Sequence, residues 1–460
     1  MKKLVKRLVP VSVFKKIEPL GHLGESVLYQ SKAGFPGRSL KVIGVTGTDG
    51  KTTTCTLITQ MLRNAGKKVG MITTISIDYG DGRGPQDNPS RLTALNAKRL
   101  AAALKRMKSE NVEWLVLEVT SHGMAQHRTF GVPYDFAVMT NVGHEHLDYH
   151  GTFENYRDAK RRLFKAANRN RFGKRVGIIN AEDPSTKLFA SDVKRPITYG
   201  TKDADIKAED IELTPAGSSY RVRLNNKIFP MLDDAELNIV CHLPGSFNVY
   251  NSLAAVTAGL VAGLSKTEVA EGIASLHEVE GRMTRVDCGQ DFAVIVDYAH
   301  TPESFEKILS EVRPLTSKKL ICVFGSAGRR DEAKRAAQGA IAGRFCDIVI
   351  ATEEDDRDID GQEILDQIAS GAEKSGKVKG KDLFLVHERE DAIQKAVDIA
   401  KPGDIVMLLG KGHEKSILSN GPQAAELRHL PQNDEDTRRV VKRKYDEVTA
   451  AKLVIAKKLS

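Results

Sequence analysis

Long apolar runs, paired cysteines and aromatic residues are all scarce in this chain, and each scarcity removes a class of function. No segment approaches the ~18 uninterrupted apolar residues that a membrane-crossing helix needs. The five cysteines, Cys55, Cys241, Cys288, Cys322 and Cys346, fall singly with no Cys-x-x-Cys spacing. That argues against a zinc ribbon and a disulfide framework and makes a reducing cytoplasm the natural setting. Aromatic residues make up 6% of the chain, with one tryptophan, too few to interleave with its basic residues as a stacking platform for nucleic acid. The formal charge of +9 is spread over many short stretches, so acidic small-molecule substrates explain it as well as a polyanion would. No internal repeat or low-complexity tract is found.

What is present fits an enzyme. A chain of 460 residues with 41% apolar and 28% charged content has the make-up of a globular protein of roughly two to four domains. Its first twenty residues are basic and partly apolar, but Lys15 and Lys16 interrupt them before a signal-type apolar core develops. They read as a solvated leader helix packing on the body, with contact to an anionic membrane surface as the alternative.

The run Gly44-Val-Thr-Gly-Thr-Asp-Gly-Lys-Thr-Thr-Thr54 closes an apolar strand, Leu40 to Val45, and opens a helix at Lys51. Glycines at 47 and 50 let backbone N–H groups approach phosphate oxygens, Lys51 supplies a point charge, and the Thr52 hydroxyl is a hard ligand for Mg²⁺. Val45 stands where the common P-loop pattern has glycine, so the match is to a variant of that loop. The blander reading is a glycine-rich turn that binds nothing, which the flanking strand and helix disfavour.

Continuous apolar runs at Leu40–Val45, Val69–Thr73, Trp114–Val119, Phe136–Thr140 and Val176–Ile179 alternate with helical stretches, as buried parallel strands do. Between Ile211 and Leu243 the pattern shortens and alternates, which predicts a small antiparallel annex to that sheet. A helix-rich stretch follows from Asn248 to Leu276. A second series then begins: Phe292–Val296, Leu320–Phe324, Ile348–Ala351, Leu383–Val386 and Ile405–Leu409. The expected fold class is α/β: a central P-loop ATPase-like parallel sheet domain with its annex over residues 39–279, then a Rossmann-like α/β domain over 280–460, with residues 1–38 as the leader.

Two polar clusters follow predicted strands. Leu-Glu118-Val-Thr-Ser-His122-Gly puts Glu118 and His122 at the carboxyl edge of a parallel sheet, where ligands bind. Thr140-Asn-Val-Gly-His-Glu-His-Leu-Asp-Tyr-His-Gly151 gathers three histidines and two acids. Such a cluster suits a metal or phosphate site, though a polar loop explains any one member.

Together with TGTDGKTTT, LEVTSHGMAQHR, TNVGHEHLDYHGTFENYRDAK, PGSFNVYNSLAA, GRM, VDYAHTP, GSAGRRDEAKR and GKGHE in order, these clusters resemble the Mur ligases of peptidoglycan synthesis over roughly residues 40 to 440. Within the family the resemblance is to the branch that adds the third residue of the stem peptide. It implies an ATP- and Mg²⁺-dependent amide ligase in which the γ-phosphate passes to a substrate carboxylate and an amine displaces phosphate from the acyl phosphate. Family positions fall on Gly47, Thr48, Asp49, Gly50, Lys51, Thr52 and Thr53 for the phosphates, on Asn248 and Asn251 for the adenine side, and on Arg282 and Asp297 for phosphate and ribose. Thr52, Glu118 and His146 match metal-site positions, with Glu145 in place of the usual aspartate, and Lys160 matches a lysine carbamylated by CO₂. Alone, Lys160 reads as a solvated helix lysine.

Thr93, Thr120, Gln126 and Arg128 match positions that grip a UDP-muramoyl dipeptide or related muropeptide. Arg330, Asp355, Arg357, Gly410 and Glu414 match those that read the free amino acid, with diaminopimelate favoured and lysine the other choice. Three departures stand out. The family's first, uridine-binding domain is expected to be largely replaced by the leader; Leu92-Thr93-Ala94 replaces a Thr-Thr-Pro segment; and Asp355-Asp356 stands where diaminopimelate users carry Asn-Pro. Rival readings are a Mur-like ligase or amidotransferase subunit acting on a lipid-linked muropeptide, a poly-γ-glutamyl-type ligase and a nucleic-acid-binding P-loop ATPase.

Overall fold

The computed structural model describes residues 11–88, 95–214, 216–229, 236–329, 331–420 and 440–460. The chain divides into two compact units, Met1–His277 and Glu278–Ser460.

The first unit is built on strands β1 (Lys41–Thr46), β2 (Val69–Ile72), β3 (Ser76–Asp78), β4 (Gln86–Asp87), β5 (Trp114–Glu118), β6 (Tyr134–Met139), β7 (Val176–Asn180), β8 (Arg195–Gly200), β9 (Ile206–Thr214), β10 (Gly217–Leu224) and β11 (Glu236–Cys241). They form one sheet in the order β11-β10-β9-β8-β7-β6-β1-β5-β2-β3-β4. Pairing is parallel from β9 through β2 and antiparallel at both flanks. Every residue of β5, β6 and β7 is buried, as are the last five of β1, because helices cover both faces of a parallel sheet. β8 was not among the expected strands: its Arg-Pro-Ile-Thr-Tyr-Gly sequence lacks a continuous apolar run. It joins the antiparallel annex to the main sheet.

Helices α1 (Val11–Lys32), α2 (Lys51–Asn64), α3 (Ala97–Ser109), α4 (Ser121–Ala125), α5 (Phe153–Arg169) and α6 (Ser246–Ala262) dress this sheet. α2 and α6 pack together; at the seam a Cβ on Gly259 would stand 2.7 Å from the Met61 sulfur, so a larger residue there would have to displace the Met61 side chain. α1 lies against α3, pinned where Ser26 Oγ donates to His127 O at 2.9 Å. No helix among the described residues is long and apolar enough to cross a membrane.

The second unit holds β12 (Thr284–Val286), β13 (Ala293–Asp297), β14 (Leu320–Phe324), β15 (Ile348–Ala351), β16 (Leu383–Leu385) and β17 (Ile405–Leu409), in the order β12-β13-β17-β14-β15-β16. All neighbours are parallel except β12 and β13. A separate hairpin pairs β18 (Ser416–Asn420) with β19 (Val440–Lys444). Its helices are tied by a buried ion pair: Arg389 Nη2 lies 2.6 Å from Glu447 Oε1, both side chains fully buried. Nη1 of the same guanidinium donates to Glu353 O at 3.0 Å and Nη2 to Leu409 O at 2.8 Å, which meets the condition under which a buried charge is tolerated.

Candidate active site

The phosphate loop turns between β1 and α2 at the carboxyl edge of the first sheet. A Cβ on Gly47 would fall 1.8 Å from Thr140 Oγ1, and one on Gly50, at φ +77°, would fall 2.1 Å from Asn251 Oδ1. Both glycines are therefore demanded by close approach, and Asn251 is seated against the loop. The loop after β6 holds it from the other side: Thr140 Oγ1 donates to Asp49 O at 2.6 Å, Thr48 N to Asn141 O at 2.8 Å and Asp49 N to Asn141 Oδ1 at 3.0 Å. Lys51 folds back so that Nζ donates to Thr48 O at 2.6 Å, and Thr53 is buried behind it. Asn251 Nδ2 donates to Asn248 Oδ1 at 2.9 Å, and Asn248 is anchored to Pro244 O at 2.7 Å.

Thr52 Oγ1 donates to Glu118 Oε2 at 2.9 Å. Glu118, at the end of β5, is 2% exposed and also accepts Thr74 N at 3.0 Å and Thr74 Oγ1 at 2.9 Å. A hydroxyl and a carboxylate side by side beneath a phosphate loop are the hard oxygen donors that Mg²⁺ takes, so the residues fit that ion. His146, at φ +56°, lies 3.6 Å from Glu145 Oε1. Its ring meets His122 edge-on with centroids 4.7 Å apart, and Tyr149 and His150 complete this aromatic group.

Lys160 contrasts with its reading as a solvated lysine. It lies on the inner face of α5, 2% exposed, and its amine donates to Gly47 O and stands 4.5 Å from the centre of the Tyr156 ring. Burial, reinforced by the nearby charge of Lys51, holds its pKa well below the ordinary lysine value, against weaker opposing pulls from Glu145, Asp49 and Glu118. The adjoining Arg161 is paired away, 2.7 Å from Asp192 and 2.9 Å from Asp158. The neutral form of an amine is the one that attacks CO₂, and a lowered pKa favours that form.

Tyr156, one helical turn earlier, was not singled out in the sequence. Its phenol oxygen bridges Thr48 Oγ1 at 2.9 Å and Glu145 Oε2 at 3.2 Å. The signal available was an aromatic four residues before Lys160, hence on the same helical face.

Thr120 caps α4, accepting Gly123 N at 3.0 Å. Gln126 is buried, and its Oε1 has no partner among the described residues. Arg128 is half-buried, and desolvation lowers its pKa against the pull of Tyr149, Glu18 and Glu25. Thr93 lies outside the described residues, as does Arg330.

In the second unit, Asp297 accepts Met283 N at 2.8 Å and Ala299 N at 2.7 Å, and the Arg282 guanidinium lies 4.9 Å over the Tyr298 ring. Asp355 accepts Lys411 Nζ at 3.0 Å and Leu418 N at 2.9 Å, while Glu414 accepts the same Lys411 at 2.6 Å. Lys411 has no exposed side-chain surface. It belongs to the GKGHE motif yet was passed over in favour of its neighbours. A Cβ on Gly410, at φ +100°, would stand 2.9 Å from Glu354 Oε2. Arg357, also in the left-handed region at φ +59°, donates to Gly328 O at 3.1 Å. Asp356 meets His387 Nε2 at 2.8 Å, and that bond raises the imidazole to about 9. Each aspartate beside Arg357 thus has a cationic partner, His387 for Asp356 and, shared with Glu414, Lys411 for Asp355, so their charge bears less on an incoming amino acid than their sequence suggests.

The family model described as "Mur ligase middle domain" matches residues 45–259, and that described as "Mur ligase, glutamate ligase domain" matches 281–412. The chain is 43% identical over 398 residues to the UDP-N-acetylmuramyl-tripeptide synthetase of Roseiflexus sp. (strain RS-1), covering 84% of this chain and 76% of the relative. It is 38% identical over 416 residues to the UDP-N-acetylmuramoyl-L-alanyl-D-glutamate–2,6-diaminopimelate ligase of Geobacillus thermodenitrificans (strain NG80-2), covering 89% and 82%. A solved ligase of the latter name superposes with TM-score 0.61 at 27% identity over 92% of this chain and 79% of its own. Mycobacterium tuberculosis folylpolyglutamate synthase complexed with ADP shares the fold, with TM-score 0.67 at 16% identity over 87% of this chain and 94% of its own.

Proposed function

The chain belongs to the Mur ligase family, ATP-dependent ligases of peptidoglycan synthesis, and from that premise we propose that it adds a diamino acid, diaminopimelate, to the D-glutamate of UDP-N-acetylmuramoyl-L-alanyl-D-glutamate. The D-glutamate side-chain carboxylate attacks the γ-phosphorus of ATP and ADP leaves. The neutral amine of the incoming amino acid then adds to the acyl phosphate carbonyl, loses its proton and expels inorganic phosphate. Both reactants of the first step are anions, so most of the catalytic work is positioning and charge neutralisation.

The chain's residues suit that work. Loop amides from Gly47 to Thr53 and the Lys51 charge receive the β- and γ-phosphates, and Asn248 and Asn251 line the nucleotide side. Mg²⁺ supplies charge neutralisation on the transferring phosphoryl group, and Thr52, Glu118, His146 and a carbamate on Lys160 are the residues that would hold it. Gln126 and Arg128 take the muropeptide, aided by Thr120. Arg282 and Asp297 match family positions for the phosphate and ribose. For the amino acid, Arg357 pairs with the distal carboxylate, Gly410 and Glu414 receive the amino end, and Arg330 and Asp355 fall on family positions that serve the same ligand.

The observation that carries the reading is Lys160: a buried amine against the Gly47 carbonyl of a phosphate loop, its pKa pulled well below the ordinary lysine value by burial, has no use in an ATPase that only binds and hydrolyses. The test is ADP release with the muramoyl dipeptide and each of diaminopimelate, lysine and ornithine in turn. Turnover should require dipeptide, amino acid and Mg²⁺ together and be fastest with diaminopimelate. Preference for lysine would overturn the choice of amino acid, and ADP release indifferent to the dipeptide would overturn the acceptor.

A further inference from the structure

α1 turns a polar stripe inward. Glu18, His22, Glu25, Ser26 and Gln30 recur at three- and four-residue steps, so they share one side of the helix. Ser26 and Gln30 on that stripe are buried, while Leu20, Val27 and Leu28 are exposed, Leu20 to 66%. An amphipathic helix lying on a globular body normally shows the reverse arrangement. Charged residues on an inward face call for a partner across the interface.

That partner is the loop following α4. Ser26 Oγ donates to His127 O at 2.9 Å, and a Cβ on Gly131 would stand 3.3 Å from Gln30 Cγ and from Phe35 Cδ1. These neutral contacts seat the helix on both sides of Arg128 in the chain. His22 places Nε2 3.7 Å from Glu18 and Nδ1 3.7 Å from Glu25, so one imidazole stands between the two carboxylates. Both carboxylates act on Arg128: desolvation penalises its half-buried guanidinium, and Tyr149, Glu18 and Glu25 oppose that penalty. In the same loop Gln126 is buried, and its Oε1 lacks a partner among the described residues, as befits a place that receives a donor from a ligand.

We propose, on the assignment of Arg128 to the muropeptide, that the inner face of α1 completes the acceptor pocket, with Glu18 and Glu25 as positioning residues that fix the Arg128 guanidinium for the acceptor's carboxylate. A guanidinium carries its N–H donors in a planar fork, so acids toward one edge leave another edge for a second carboxylate. They offset the cost of keeping the cation half-buried before the ligand arrives, and a fork already fixed loses less freedom on binding than a swinging one. An inhibitory latch is the other use for such acids, but a latch hangs on the ion pair itself. Here Ser26, Gln30 and Phe35 hold the helix, and that scaffold carries the acids to Arg128.

Steady-state kinetics of the full chain, varying ATP, muramoyl dipeptide and amino acid in turn, tests this in Glu18→Gln, Glu25→Gln and the double variant. The double variant should raise KM for the dipeptide about tenfold, the weight of a charged hydrogen bond, with kcat and the other two KM values within about twofold. Each single variant, nearly isosteric with the wild type, should show part of that rise, and Glu25→Asp should recover part of what Glu25→Gln loses. Arg128→Gln should raise the same KM, and combining it with the double variant should add nothing further, because the acids act through that side chain. A dipeptide KM unchanged in the double variant, an additive triple variant, or a KM that falls as the release of a latch would make it fall would each overturn the proposal. Arg128→Gln with an unaltered dipeptide KM would overturn the assignment of Arg128 and with it the role of the acids; a KM raised there but not in the double variant would sink the acids alone.

Discussion

The centre of the Tyr156 ring lies 4.5 Å from the Lys160 amine, and the phenol oxygen of the same ring bonds Thr48 of the phosphate loop. One side chain therefore walls the amine off from water and ties α5 to the loop the amine touches.

Those two roles separate by substitution. Tyr156→Phe keeps the wall and removes the tie, leaving Thr48 and Glu145 short of a partner, a loss of about 1 kcal/mol. We expect a lower kcat with an unchanged response to added bicarbonate. Tyr156→Ala also opens a cavity, at a cost of roughly 3–5 kcal/mol, and lets water reach Lys160. Turnover of that variant should become dependent on bicarbonate concentration, and a bicarbonate-independent Tyr156→Ala enzyme would show that the ring does not guard the amine.

Lys160 itself should trade stability for function. Its folded pKa is held below the unfolded value, so the unfolded chain binds the extra proton and stability rises with pH over the interval between the two. Burying an amine whose pKa is pulled down in this way costs the native state stability. Lys160→Met fills the same pocket with an apolar chain, so the melting temperature of the first unit should rise by at least ~2 °C while ligation is lost. Calorimetry beside an ADP-release assay reads both, and a lower melting temperature would contradict the burial cost.

Much of the fold was legible because buried parallel strands write themselves as predominantly apolar runs: β5, β7, β14, β15 and β17 stand within a residue of their expected limits. β8 was hidden by Pro196 and Arg195, and β12 by its length of three residues. The site residues named in advance were those inside motifs. Tyr156, Lys411 and Arg389 escaped because their importance lies in partners distant in sequence: Thr48 for Tyr156, Asp355 for Lys411 and Glu447 for Arg389. Local pattern carries no trace of such pairings. The solvated reading of Lys160 had the same origin, since a lysine between two arginine-rich turns says nothing of which face the helix buries.

The Asp356–His387 pair sets a pH limit on the second unit. The folded imidazole is raised to about 9, above an unfolded value of about 6.5. Its contribution is fully present below about 6.5 and is lost as pH rises through about 9. His387 is 43% exposed on its side chain, so screening leaves on the order of 1 kcal/mol. Urea midpoints of the wild type should fall between those pH values more steeply than those of His387→Gln, and parallel curves would mean the pair is not formed in solution.

Asp355 decides whether acidic residues beside Arg357 select the amino acid by charge. Its carboxylate already accepts Lys411 Nζ and Leu418 N. Asp355→Asn keeps an oxygen for the Leu418 amide and leaves Lys411 paired with Glu414 at 2.6 Å, so stability should drop by only about 1 kcal/mol. Asp355→Ala loses both bonds and leaves a buried cation with one partner, at a cost nearer ~3 kcal/mol. If the Asp355 charge is spent on Lys411, the asparagine variant should keep the ratio of kcat/KM for diaminopimelate over lysine within about fivefold of wild type, since a factor of five is about 1 kcal/mol. A collapse of lysine use in Asp355→Asn, with diaminopimelate use intact, would show instead that the carboxylate reads the substrate's cationic end directly.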